Sequence, residues 1–141
     1  MYLSKYMQYL GGSQTVNPET TSYMSGMLPL HGVVEWGVFV SLTYSEIPTT
    51  PADLEIYGFD PDGGEFLLQS ATLAAPEDTD PHWYYVEAES SVPVVVTTKI
   101  KNPDTAATIT VNKTMAVVAR ITDVKQVLSP SEWIQAWGMM M

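Results

Sequence analysis

The chain predicts an all-β fold, a single antiparallel β-sandwich of about seven strands with an N-terminal arm and short terminal helices. Three observations carry this. Residues 92–122 alternate apolar and polar side chains with the period of two that a sheet with one wet side requires. Candidate strands beginning at Val33, Asp53, Glu65, His82, Val92, Ala106 and Thr114 follow one another at sandwich density. Short clusters of Asn, Pro, Asp and Gly separate them, each with its own turn chemistry. The organisation that follows is an arm with a short helix over 1–32, a sandwich over 33–123, and a C-terminal helix with an apolar tail over 124–141.

In the arm, Leu3, Tyr6, Met7 and Leu10 recur at spacings of three and four, which predicts a short amphipathic helix ended by Gly11-Gly12. Ser13 to Gly32 carries one charge, Glu19, and is rich in Tyr and Met, unlike a solvated linker. It should lie against something, either its own domain or a neighbour. Val33 to Ser45 is a long strand with Val34, Trp36, Val38, Val40 and Leu42 on one face and Glu35, Phe39, Ser41 and Thr43 on the other. Gly37 within it suggests a bulge or the close approach of another group.

Asp53–Phe59 and Glu65–Gln69 form a hairpin through Asp60-Pro61-Asp62-Gly63-Gly64. That loop has the opening acids of a calcium loop but lacks the fifth and twelfth ligands and any flanking helix, so a turn is the better reading. His82–Ala88 is an aromatic strand in which Trp83, Tyr85 and Glu87 share a face. Val92–Thr122 reads as a three-stranded meander that reverses at Asn102-Pro103-Asp104-Thr105 and again at Asn112-Lys113, with Ile100, Ile109 and Ile121 all inward. Ser129-Pro130-Ser131-Glu132 is a capping box that opens a short helix bearing Trp133 and Trp137, before Gly138 and three methionines.

The totals exclude several function classes. A chain of 141 residues makes one ordinary domain, and without cysteine it has neither disulfides nor thiolate chemistry. No apolar run is as long as a membrane span and no leader pattern opens the chain, so a cytosolic or cytosol-assembled protein is expected. The formal charge of −10 is uneven: residues 33–91 hold twelve acids and no Lys or Arg, whereas basic residues outnumber acids from Val92 onward. An acidic half repels phosphate backbones, which argues against nucleic acid as a partner. A solvated acidic face accounts for the charge; complementarity to a basic partner or a second copy is the sharper reading.

His31 and His82 are the only imidazoles, and neither sits in a triad, a nucleophile elbow or a paired-His zinc pattern. His82 near Glu77, Asp78 and Asp80 is a thin metal signal, and no catalytic residue, cofactor or metal site is expected. Exposed Trp and Met call for a cover. The candidate partner-binding residues are therefore the apolar side chains of the two ends: Tyr2, Tyr6, Met7, Tyr23 and Met27 at one, Trp133, Trp137 and Met140 at the other.

In its Thr/Val-rich sandwich with an Asn-Pro-Asp-Thr turn, its lack of Cys, its acidic surface and its apolar ends, the chain resembles the small structural proteins of tailed-bacteriophage virions, the capsid decoration or cement type. The resemblance covers residues 33–123 in general character and rests on no diagnostic motif. It implies a non-enzymatic virion protein, assembled in the host cytoplasm, whose ends contact a major capsid protein, another virion protein or its own copies. The alternative is a carbohydrate-binding sandwich that stacks sugars on Trp83 and Tyr85.

Overall fold

The computed structural model describes residues 2–23, 25–89 and 94–122. Among them there is no helix. Ten strands run in chain order as β1 (Tyr2–Gly11), β2 (Gln14–Val16), β3 (Thr20–Tyr23), β4 (Leu28–Pro29), β5 (Val33–Tyr44), β6 (Ala52–Phe59), β7 (Glu65–Leu73), β8 (His82–Glu87), β9 (Val95–Asn102) and β10 (Ile109–Thr122). They form two antiparallel sheets. The first has the order β1-β10-β5-β8, with β2 also on β10; the second has the order β3-β9-β6-β7, with β4 also on β9.

Two of these strands are interrupted rather than separate. β1 and β2 pair with successive lengths of β10, and β3 and β4 with successive lengths of β9. Counted so, eight strands alternate between the sheets in the order of a jelly roll, the doubled Greek key. Only β6–β7 is a hairpin within one sheet. The interior is filled from both layers: Trp36, Val38, Val40, Leu42, Ile109, Val111 and Val118 from the first, and Leu54, Ile56, Val96 and Ile100 from the second.

Three expectations are corrected. The predicted N-terminal helix is the strand β1. Its three-and-four spacing arises because both faces of the strand are apolar, Leu3, Met7 and Tyr9 on one and Tyr6 and Leu10 on the other, and two overlaid alternations mimic a helical stripe. Gly11 and Gly12 do break the element, but they break a strand. A Cβ at Gly12 would collide with the backbone of Asn112, and Gly11 has φ 141°, so a side chain would fit poorly at either position.

The second correction concerns the meander. β9 and β10 lie in different sheets, so Asn102–Asp104 opens a crossover. Asp104, itself buried, makes this possible. Its carboxylate accepts hydrogen bonds from the backbone N–H groups of Ala106 and Ala107 on its own loop, and from Thr49 N, Thr50 N and the Thr49 hydroxyl on the β5–β6 crossover. Those donors hold its pKa far below the usual carboxylate range. Two crossovers at the same end of the sandwich are thereby tied to one charge.

Third, Asn112-Lys113 is a β-bulge inside the single long strand β10. The Asn112 amide donates to the hydroxyls of Ser41 and Thr43 on β5, which pins the extra residue. The bulge shifts the alternation by one. Ile109 and Val111 point inward as expected, but beyond it Thr114, Ala116 and Val118 are inside, and Ile121 is 36 % exposed instead of buried.

Other expectations hold. β5 buries Trp36, Val38, Val40 and Leu42, although Val34 is exposed because the register shifts at the start of the strand. The β6–β7 hairpin closes through the Asp60 loop, whose carboxylate accepts from Asp62 N and Gly64 N, the work of a turn-forming Asp. Residues 14–30 add strands to both sheets and bury Val16, Leu28 and Leu30. The C-terminal capping box with Trp133, Trp137 and Met140 lies outside the described residues.

Candidate functional site

A sheet of a sandwich has one face in the core and one outside, and the outer faces here differ in kind. On the second sheet most outer rows are polar, with one apolar row in which Tyr57 stands beside Leu67, itself 52 % exposed. Lys101 stands beside Asp53, and Lys99 beside Glu55, with Thr21, Ser70 and Thr72 on the flanking strands. Lys99 bridges to Glu65 at 2.6 Å and lies 4.5 Å over the ring of Tyr57. Around these pairs the surface is an ordinary hydrated one.

On the first sheet the registers place apolar groups row upon row. Leu3 of β1 stands opposite Ile121 of β10; Met7 is in line with Val117 and Gly37; Tyr9 is in line with Met115, Phe39 and Tyr85, and Trp83 lies beyond Ser41. Met7 is 55 % exposed, Tyr9 61 %, Trp83 57 % and Tyr85 49 %, values that describe side chains displayed to solvent over about half of their surface or more. Met7, Phe39, Trp83 and Met115 line a shallow, wholly apolar hollow. One charged row divides this face, between the row of Leu3 and Ile121 and that of Met7 and Val117. Lys5 and Glu35 share a row with Ala119 between them, and Glu87 ends the Met7 row.

The face is built by particular local choices. Gly37 lets the Tyr85 ring lie flat on the β5 backbone, since a Cβ there would overlap the ring. The close approach anticipated at this glycine is thus a side chain's. So placed, Tyr85 packs on Phe39 with 4.6 Å between centroids at a tilt of 43°. Its pKa is raised, first by burial of part of the ring and then by Glu87 and Glu35. The bulge at Asn112 turns Met115 and Val117 outward.

Of the expected partner-binding residues, Met7 lies in this face. Tyr6 is on the opposite side of β1, where its hydroxyl accepts from Arg120 Nε, and Arg120 also donates to the carbonyls of Pro29 and His31. Met27 is 58 % exposed but lies in the β3–β4 connection, apart from the face. Tyr2 and Tyr23 fall in β1 and β3, opposite Thr122 and Lys99. The residues that terminus-centred reasoning missed as a docking surface are Phe39, Trp83, Tyr85, Met115 and Val117. Their signal was that β8 carries aromatics and β10 apolar side chains on both faces.

Elsewhere the titratable groups do structural work. His82 Nε2 meets Asp78 Oδ1 at 2.5 Å across the loop before β8, and the imidazole holds the Asp78 pKa down. Tyr44, in the core, has its pKa pushed up to about 12 by burial. Among the described residues no three His, Cys, Asp or Glu side chains gather as a metal site, and no helix is long and apolar enough to cross a membrane.

No family model and no curated protein matches the chain in sequence. Some solved structures are similar to it in backbone. Latent PorU from Porphyromonas gingivalis superposes with a TM-score of 0.51 at 10 % identity, over 84 % of this chain and 13 % of that one. A structure of infectious bursal disease virus, Gx strain, gives 0.49 at 11 % identity over 87 % of this chain and 33 % of that one. A family 16 carbohydrate-binding module gives 0.46 at 12 % identity over 72 % and 73 %. The chain thus spans a small part of the first two, and at such identities the likeness is one of fold alone.

Proposed function

We propose that this is a non-enzymatic assembly protein that docks through the outer face of its first sheet onto a protein neighbour, as a virion component of the decoration or cement type. The observation that carries the reading is the asymmetry of the two outer faces. An apolar surface running across four strands is far more than the scattered exposed side chains of a monomer, and a cover for it lowers the free energy by removing that area from water. A cluster of aromatic and Met side chains with few charges is the composition of a protein interface. A protein that binds only the assembled state of its partner stabilises that state by linkage, without any chemistry.

The test is co-sedimentation of the whole protein with assembled shells of the particle it serves. Wild-type protein and a Lys99→Ala variant pellet with the shells, whereas a Trp83→Asp/Met115→Asp variant stays in the supernatant while keeping its β-sheet circular dichroism. Equal pelleting of all three would overturn the reading.

A second reading draws on the same aromatics. Trp83 and Tyr85 stand two apart on one face of β8, both about half exposed or more, with Glu35 and Glu87 close to the Tyr85 ring as polar partners. Such a pair can stack a sugar. A glycan array decides it: binding abolished by Trp83→Ala supports carbohydrate recognition, and an array without signal removes it.

A further inference from the structure

Edge strands are where a sheet can grow, and three of the four edges here are protected. On β8, the side chain of Gln69 reaches across from the other sheet, donating to the carbonyl of Glu87 and accepting from the N–H of Glu89. β7 is bulged at Leu68, where the register shifts. The edge opposite it is made of β3 and β4, four and two residues long.

β1 has such devices only at its C-terminal end, where the register shifts after Tyr9 and the Leu10 carbonyl accepts from Gly26 N. It is ten residues long, holds an unbroken register with β10 from Tyr2 to Tyr9, contains no proline and carries one charge, Lys5. Among the described residues it pairs on one side only. A long, regular, nearly uncharged edge is the kind that natural sheets avoid unless it is used.

We propose that β1 pairs antiparallel with β1 of a second copy of this chain, joining the two first sheets about a twofold axis. A second copy fits this edge because β1 is self-complementary in one register. A twofold pair of identical strands must match residues on the same face, so the axis passes through a residue position. An axis at Lys5 would set Lys5 against its own copy. An axis at Met7 would draw in Gly11, which is past the irregularity after Tyr9 and next to Leu10, whose carbonyl already accepts from Gly26 N.

An axis at Tyr6 keeps Lys5 off its own copy and leaves Gly11 out, so that Leu10 meets only the partner's Tyr2 at the last position of the pair. It sets Leu3 opposite the partner's Tyr9, Ser4 opposite the partner's Gln8, and Lys5 opposite the partner's Met7. The apolar rows of the two outer faces then run on across the junction. This contact uses the edge of the sheet, and it holds whatever partner the outer face takes.

Light scattering on the full-length chain after size exclusion, with charge variants, tests it. The parent protein is expected as a dimer. Met7→Lys sets like charges opposite each other twice and weakens the dimer by about tenfold or more, whereas Met7→Glu faces Lys5 and keeps the dimer constant within about threefold of the parent. Since the chain has no cysteine, Tyr6→Cys reports directly: the two thiols meet at the axis and form an interchain disulfide in air, while Leu3→Cys forms one only together with Tyr9→Cys. A monomeric parent, equal response to Met7→Lys and Met7→Glu, or a Tyr6→Cys protein that stays uncrosslinked would each overturn the proposal.

Discussion

The two outer faces of this sandwich come from strands of similar alternation, yet one is mainly hydrated and the other mainly apolar. Lys99, Lys101, Asp53 and Glu55 make the second sheet a surface of paired charges. Phe39, Met115, Val117, Tyr85 and Trp83 make the first a surface in search of a cover. The fold is served equally by either, because both sheets fill the same core. The difference therefore belongs to function, and it shows that in a jelly roll the residues informative about partners are those facing away from the core.

The comparison can be broken outright at the joint that both faces depend on. Asp104→Ala removes the acceptor shared by two crossovers and leaves buried N–H groups unpaired, so melting should fall by more than about 10 °C and both faces should be lost together. Asp104→Asn reads the charge alone. A carboxylate with a folded pKa below its unfolded value contributes stability that is fully present above the unfolded value, about 3.9, and is lost as pH falls toward the folded one. The melting difference between the parent and Asp104→Asn should therefore be constant from pH 7 to about pH 5 and narrow steadily below pH 4.

Smaller changes address one face at a time. Gly37→Ala pushes the Tyr85 ring off the β5 backbone, and because the ring is half exposed it can swing away. The cost should be about 1 kcal/mol in chemical denaturation, with the contact to Phe39 lost in a crystal structure of the variant. Lys99→Ala removes one partly exposed ion pair and one ring contact from the other face. Denaturation should register about 0.5–1 kcal/mol, and docking should be unchanged. Trp83→Asp should leave stability within about 0.5 kcal/mol while abolishing docking, since its side chain contributes to the outside and little to the core.

Much of this architecture was legible from local pattern. The alternation in 33–45, the turn chemistry at Asp60 and the aromatic strand at His82 each led to the right element. What local pattern lacks is knowledge of which sheet a strand joins. The Asn102-Pro103-Asp104 segment looks like a hairpin turn whether it reverses within a sheet or passes between two, and only the burial of Asp104 against Thr49 and Thr50 distinguishes them. β1 was misread because a strand apolar on both sides satisfies a helical template. That double apolarity was itself the clue to the apolar outer face, and it recurs in β8 and β10.

The unpaired residue at Asn112 has a consequence for how such a protein changes over time. Delete it, and every side chain downstream exchanges sides: Met115 and Val117 would sink into the interior, and Thr114, Ala116 and Val118 would surface, small and unadhesive. A single-codon insertion or deletion thus separates a solitary body from a sociable one. Lineages of this fold have that route open for gaining or shedding attachment without redesigning a single strand.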